Sequence, residues 1–473
     1  MEAYRVFLVR LADLLLVESR LQEGQQVLRL LKLRDLSTYL RDTRGPGAAE
    51  GNLPATADEM RWRVRYDQLA SALRVGAGDL STTMSEARRR FIDFLENADT
   101  GKPSAQPLDR VLTSTTTTAW QARLRTAPQG TVLVQYLVAP DHLDILLTSK
   151  DEQIARRVKT TGGLLGRSIG PFLRAVRDPQ SDALAEAQAA YQVLIAAIED
   201  DLVRLGAKCL WLSLDGVLRY VPFAALHDGK QWLVQRYASV VIAEALGPPP
   251  AERPFKEELG AGFGVSAASG GFEALTHVGD ELKAIFTGDL SKAKDGRLRG
   301  RIYLDEAFTR GALQRSLEQE IPVVHLATHF KLSPGSEVDS YLLLGDGHRL
   351  SVKDLREPSL PFGKVDLLTL SACDTAVDGD GNEIEGLSAV AQRKGARTVV
   401  ASLWRVSDMG TERLMRRFYS GLRSNGFDRA LALQQSQRDF LRQAATSEQN
   451  NSLDPILRRP YFWAPFVVMG AAK

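Results

Sequence analysis

Cysteine is scarce in this chain: Cys209 and Cys373 are the two in 473 residues. Two thiols build neither a disulfide framework nor a cysteine-rich zinc site. Such usage suits a reducing compartment, and a cytoplasmic location is expected. A charge excess is missing as well, since 60 basic residues face 58 acidic ones and the formal net charge is +2. That balance asks for neither nucleic acid nor a membrane surface as a partner. The basic stretch EARRRF around Arg88 reads as a charged helix face. No run of 18 apolar residues occurs, so no transmembrane helix is expected. The opening MEAYRVFLVRLADLLLVESR is apolar but broken by Arg5, Arg10, Asp13 and Glu18. It lacks a basic leading region and a small-residue cleavage site, and it is not expected to act as a signal peptide. GGLLGRSIG at 162–170 lacks the Gly-Lys-Ser/Thr ending of a phosphate-binding loop. DGDGNEIEG fails as a calcium loop: counted from Asp378, the sixth residue is Glu383 where Gly is required, and the twelfth is Ala389 where Glu is required. No metal and no cofactor is expected.

What remains is an ordinary globular composition, 44% hydrophobic and 25% charged. It leaves room for two or three domains and a large core. Residues 1 to 42 read as helices, because Phe7, Leu8, Leu11, Leu14 and Leu15 recur at the spacing of one buried face. A turn at Glu23-Gly24 precedes Val27, Leu28, Leu30 and Leu31. LADLLLVESRLQEGQQVLRLLKL resembles one helix-turn-helix unit of a tetratricopeptide repeat. One unit is not an array, and such units need stacked neighbours. The chain is therefore expected to begin inside a longer repeat protein; the plainer alternative is a helical hairpin. Residues 43–58 are a Gly/Pro linker, 59–100 read as helical, and 101–118 form a Thr-rich connector. The division expected is a helical region over 1–126 and a second domain over 127–473.

From about residue 130 the pattern changes. TVLVQYLVAPDHLDILLTSKD reads as a β-hairpin turning around Ala139 to His142. A long helix is expected at about 181 to 205. Beyond 258, continuous Val/Leu/Ala runs alternate with amphipathic segments: LGAGFGVS, PVVHLATH, VDLLTLSA, ARTVVASLW and the closing YFWAPFVVMG read as strands. Gly395 and Gly426 read as helix ends. Strands of this kind belong to a parallel sheet covered on both faces, hence the α/β class.

In such a sheet the reactive groups lie beyond the carboxyl ends of the strands. VVHLATH ends at His329, and LLTLSAC ends at Cys373. If those strands are neighbours, their backbones lie roughly 4.8 Å apart, and imidazole and thiol can face one another. A free thiol is only a few per cent thiolate at neutral pH, and an adjacent imidazole corrects that. The backbone N–H groups of Cys373 and Phe330 are candidate oxyanion donors. A lone cysteine past a strand is commonly an inert small hydrophobe, and Cys209, inside an apolar run, reads as core. His325 reads as a buried, hydrogen-bonded support. His142, His227, His277 and His348 lie in turn-like segments and are assigned no role.

The stretch from about 130 to 473 resembles the CHAT domain family, caspase-like proteins often attached to tetratricopeptide repeats. The pieces that carry the likeness are LWLSLDGVLRYVPFAALHDG, VVHLATHF, SYLLLGDGHRLSVKDL, VDLLTLSACDTAVDGDGNEIEGLSAVAQRKGARTVVASLWRVSDMGTERLMRRFYSGL and RPYFWAPFVVMG, in that order. The resemblance implies a caspase- and separase-like α/β sandwich with a largely parallel central sheet and the chemistry of a cysteine endopeptidase. By motif position His329 is the catalytic histidine and Cys373 the nucleophile. Many caspase-type relatives have Gly after the histidine; here Phe330 stands there, and a backbone N–H does not require Gly. Ser371 and Asp374 flank the nucleophile as pocket candidates. Trp404 and Asp408 end the next strand on the same rim, where an acid suits a basic P1 side chain; the alternative is that Asp408 caps a helix. Glu383 and Glu385 read as first-turn carboxylates. The expected partners are a protein substrate and a regulatory protein bound by the helical N-terminal region. Family analogy points to a switched protease in bacterial defence. The rival reading is a non-catalytic CHAT and helical-repeat interaction scaffold.

Overall fold

Strands that are apolar on both faces can only be buried on both faces, and the chain solves this with one large sheet. The computed structural model describes residues 2–42, 116–160, 164–243, 259–289, 297–331, 340–355, 357–371, 390–392, 394–404, 408–446 and 454–472. Its strands are β1 (Thr131–Val138), β2 (His142–Thr148), β3 (Gln153–Lys159), β4 (Cys209–Ser213), β5 (Ala238–Val241), β6 (Leu259–Gly264) and β7 (Arg299–Leu304). There follow β8 (Val323–Ala327), β9 (Phe330–Lys331), β10 (Tyr341–Leu343), β11 (Arg349–Ser351), β12 (Leu367–Leu370), β13 (Thr398–Ser402) and β14 (Phe466–Gly470). The helices are α1 (Glu2–Val17), α2 (Leu21–Asp42), α3 (Thr116–Thr126), α4 (Leu164–Arg177), α5 (Leu184–Leu194), α6 (Glu199–Arg204) and α7 (Val278–Ile285). After them come α8 (Arg310–Glu318), α9 (Val352–Leu355), α10 (Asp408–Ser424), α11 (Arg429–Thr446), α12 (Asp454–Leu457) and α13 (Pro460–Trp463).

Eleven strands form the main sheet, in the order β3-β2-β1-β4-β5-β14-β13-β12-β8-β6-β7, and β11-β10-β9 form a small second sheet. Seven of the ten neighbouring pairs in the main sheet are parallel. The expected α/β class, with a largely parallel central sheet behind an α-helical N-terminal region, is borne out. The hairpin expected near 130 is β1–β2, antiparallel from Leu133↔Thr148 to Val138↔Leu143. The antiparallel pair β13–β14 divides the sheet's parallel strands into two groups of opposite direction. One group is β13, β12, β8, β6 and β7, whose carboxyl ends therefore share one edge. That edge carries Ser266, Asp305, Thr328, His329, Ser371 and Trp404 just past the strand ends.

Close helix–sheet contact beneath that edge depends on missing side chains. At Gly262 on β6, a Cβ would lie 2.8 Å from the Phe286 ring and 2.9 Å from Leu282, the latter a residue of α7. Glycine there lets α7 lie against the sheet. The long helix expected over 181–205 is broken instead: α5 ends at Ile195, whose φ is −122°, and a 3-10 turn at Ala196–Ile198 leads into α6. The buried face nevertheless continues through Ile195, Ile198 and Leu202, which is why the apolar spacing reads as uninterrupted.

The N-terminal hairpin α1–α2 lays its apolar face, including Leu8, Ala12, Leu16, Val27 and Leu31, on Leu137, Ala139 and Leu146 around the β1–β2 hairpin. The sheet thus supplies the neighbour that a lone helical unit needs. Two sets of polar groups inside this contact are paired. The Gln25 side-chain amide donates to Gln135 and to Thr148 Oγ1 (3.1 Å). Lys32 lies 3.5 Å from Asp215 with both side chains excluded from water, and Asp215 also accepts from Val138 N–H. No helix among the described residues is long and apolar enough to cross a membrane.

Substituting Gly262→Ala forces Phe286 or α7 to move. The expected cost is about 1–3 kcal/mol of stability, read as a lower thermal unfolding midpoint than that of the unaltered chain.

Candidate active site

β8 and β12 are adjacent and parallel, with His325 opposite Thr369 and Leu326 opposite Leu370. The Ser371 N–H continues the ladder by donating to Leu326 O at 2.8 Å. The two reactive strand ends expected from the sequence therefore leave the same edge side by side. His329 lies two residues past β8 and is buried. Its backbone is held by the small sheet: Leu343 N–H donates to His329 O at 2.9 Å, and Thr328 Oγ1 donates to Leu343 O at 2.6 Å. The imidazole stacks on Phe272 with centroids 4.6 Å apart and planes 21° apart. Its Nε2 lies 2.8 Å from Glu273 O. A carbonyl oxygen only accepts, so Nε2 carries the proton, and in the neutral ring the lone pair belongs to Nδ1.

Cys373 and Asp374 lie outside the described residues, as do Glu383 and Glu385. Ser371, two positions before Cys373, is buried, and its hydroxyl points into the protein rather than out to a pocket: Oγ donates to Glu281 Oε1 at 2.5 Å. Phe330 opens β9, and its ring is buried. Because the Leu343 N–H binds His329 O, the pairs 329/343 and 331/341 are the hydrogen-bonded ones. The pair 330/342 between them is not. The Phe330 N–H accordingly points away from β10. Trp404 lies past β13 on the same edge, buried, with Nε1 donating to Tyr461 O at 3.2 Å; its indole braces the wall. Asp408 is the first residue of α10.

His325 is the buried support anticipated from its strand position. Its Nε2 lies 3.0 Å from Glu281 Oε1 and its Nδ1 3.1 Å from the Tyr419 hydroxyl, which is 2.8 Å from Thr369 Oγ1. Burial pushes the Tyr419 phenol far above its ordinary pKa, so it stays protonated and able to donate. Five partners were not named from the sequence: Glu281, Tyr419, Thr369, Phe272 and Glu273. Glu281 carries a legible signal: a carboxylate set between Val278 and Ile285 on the buried face of α7. Phe272 and Glu273 carry none, because one acts by stacking and the other through its main chain.

The segment bearing Phe272 and Glu273 is itself tied down by Asp305, which accepts from Ser266 N–H and Oγ (both 2.7 Å) and from Ala267 N–H (3.1 Å). Partial burial raises the Asp305 pKa, but the Ser266 and Ala267 hydrogen bonds outweigh it and the net shift is downward. At the far end of the sheet, Asp13, His142 and Asp144 form the one group among the described residues with metal-ligand spacing. Arg157 already holds both carboxylates, with Nε 2.7 Å from Asp144 Oδ1 and Nη2 bonded to Asp13. A guanidinium thus supplies the positive charge a cation would bring. That cluster ties α1 to the β2–β3 edge, with six strands lying between β2 and β8.

The profile of the CHAT domain matches residues 184–471. The match begins at α5, whereas β1 to β3 join the same sheet upstream of it. No curated protein matches the sequence. Among solved structures, the separase–securin complex of Saccharomyces cerevisiae is similar at TM-score 0.40 and 10% identity, over 74% of this chain and 30% of that one. A second structure of that complex gives TM-score 0.41 at 10% identity, over 76% and 31%. The Arg-specific cysteine proteinase gingipain R gives TM-score 0.36 at 12% identity, over 65% of this chain and 74% of that one. The matched region thus spans under a third of the separase chain.

Two outcomes follow from these environments. Burial, with a smaller contribution from Asp428, pushes the Cys209 thiol far up. Cys209 is therefore expected to resist alkylation in the native state and to react only after unfolding, as peptide mass spectrometry after iodoacetamide treatment will read. Asp305 has a folded pKa below its unfolded one, so its contribution to stability is present above about pH 4 and is lost as pH falls through the folded value. Asp305→Asn should flatten that acid limb in thermal midpoints measured between about pH 2 and pH 6.

Proposed function

The chain belongs to the CHAT domain family, and on that premise we propose that it is a cysteine endopeptidase with Cys373 as nucleophile and His329 as general base. The observation that carries this reading is the adjacency of β8 and β12: the segments leading to His329 and Cys373 leave one edge of one sheet on neighbouring parallel strands. The fixed Nε2–H bond to Glu273 O adds to it, because Nδ1 is then the nitrogen able to take a proton.

In this mechanism the Cys373 thiol gives its proton to His329 and the thiolate attacks a peptide carbonyl carbon. Charge develops on the carbonyl oxygen and is met by backbone N–H groups, with that of Phe330, turned away from β10, as one donor. The C–N bond breaks as the imidazolium protonates the leaving amine. Water then attacks the thioester, His329 again taking the proton, and the acid product leaves. Ser371 and Trp404 shape the rim from behind, Asp374 flanks the nucleophile, and Asp408 is the rim acid that suits a basic P1 residue. The substrate is a protein cut at a dedicated site. The helical N-terminal region receives a regulatory partner, and the activity serves bacterial defence.

The test is direct. The unaltered chain is expected to cleave a component of a proteome extract, and Cys373→Ala and His329→Ala to lose at least about 1000-fold in rate, read by N-terminal peptide mass spectrometry. If neither the unaltered chain nor the variants cut anything, and Cys373 alkylates no faster than Cys209, the peptidase reading fails and the chain is a docking scaffold.

A further inference from the structure

Glu281 lies where a carboxylate is costly. It is 2% exposed, and one of its oxygens is shared by two donors from two different strands. Ser371 Oγ, beyond the end of β12, approaches Oε1 at 2.5 Å, and His325 Nε2, within β8, approaches it at 3.0 Å. With Nε2–H of a neutral His325 donating to the Glu281 carboxylate, the remaining hydrogen bonds follow in one direction. Thr369 Oγ1 donates to the Tyr419 hydroxyl, the hydroxyl donates to His325 Nδ1, and His325 Nε2–H and Ser371 Oγ–H both donate to Glu281. Each hydroxyl or ring proton has one acceptor, and the chain of bonds terminates on a carboxylate.

The strands joined in this way are those that lead to the proposed dyad. His325 is four residues before His329, and Ser371 is two residues before Cys373. Glu281 also sits on the same stretch of chain as Phe272 and Glu273, which stack on and hydrogen-bond the His329 ring. A single segment, residues 272–281, therefore grips His329 at one end and the base of the Cys373 strand end at the other. Glu281 is placed by α7, which the glycines of β6 allow to approach the sheet.

We infer that Glu281 is a positioning residue of the proposed peptidase: by accepting from both Ser371 and His325 it fixes the offset between the strand ends that carry His329 and Cys373. This rests on the cysteine-peptidase reading, and the dyad itself stays with His329 and Cys373. What the contact requires is an acceptor at Oε1 and a hydroxyl at 371.

The experiment measures iodoacetamide alkylation of Cys373 across pH in the full chain, with buried Cys209 as an internal reporter of unfolding. His329→Ala comes first. It should slow Cys373 at neutral pH and move its pH midpoint to that of an ordinary thiol; if it changes nothing, the dyad reading fails, and this inference falls with it. Given a His329 effect, Ser371→Ala and Glu281→Leu should each slow Cys373 about tenfold, within the roughly hundredfold that a displacement of about 1 Å can carry. Both should shift its pH midpoint upward while Cys209 stays protected. Glu281→Gln, which keeps the acceptor oxygen, should stay within about threefold of the unaltered chain. Loosening of the fold would act oppositely, by exposing Cys209. Should Glu281→Leu expose Cys209, Ser371→Ala, which removes one hydroxyl, decides. Unchanged Cys373 rates and midpoints in Ser371→Ala, or a Glu281→Gln chain as slow as Glu281→Leu, overturn the positioning role while leaving the dyad reading intact.

Discussion

A carboxylate removed from water must be met by donors, and the demands of Glu281 organise the centre of this molecule. Burying an ionised group without partners costs many kcal/mol, so the helix that carries Glu281 can dock only where donors are waiting. They come from β8 and β12, through His325 and Ser371. The docking in turn requires α7 to approach β6 closely, which glycine at 262 permits. The same stretch of chain carries Phe272 and Glu273, which meet the His329 ring.

A similar logic operates where the N-terminal hairpin meets the sheet. Apolar burial by Leu8, Ala12, Leu16 and Leu31 favours contact but does not select its register. Selection comes from the buried polar pairs: Gln25 with Gln135 and Thr148, and Lys32 with Asp215. Such pairs add little net stability, yet a slipped arrangement would leave one partner buried and unmet. The Asp13, His142, Asp144 and Arg157 cluster does the same at the outer edge. The helices and the sheet are thereby held in one arrangement.

Much of the fold could be read from residue order. Doubly buried strands announce themselves as short Val/Leu runs, and the hairpin at β1–β2 by its turn residues. His325 could be read as buried support from its place within a strand. His329 could be singled out because it stands just past the end of an apolar strand, where a parallel sheet places its reactive groups. The helix break at Ile195 could not be read, since Ile195, Ile198 and Leu202 keep helical spacing on both sides of it. Ser371 was read as a pocket candidate beside the nucleophile, and the inward turn of its hydroxyl to Glu281 could not be read. Side-chain direction at a strand end depends on which partner is nearby, and that partner lies 90 residues away in sequence.

Local pattern therefore accounts for the element types and the α/β class, because periodicity and residue chemistry act over a few positions. Strand order belongs to the folded molecule. That β8 lies between β12 and β6, and that β14 enters antiparallel to β13 yet parallel to β5, follows from pairing between distant segments. The tautomer of His329 was decided in the same way. The atom that sets it is the main-chain oxygen of Glu273, and a main-chain oxygen is the same in every residue. Its role arises only when packing brings it to 2.8 Å from Nε2.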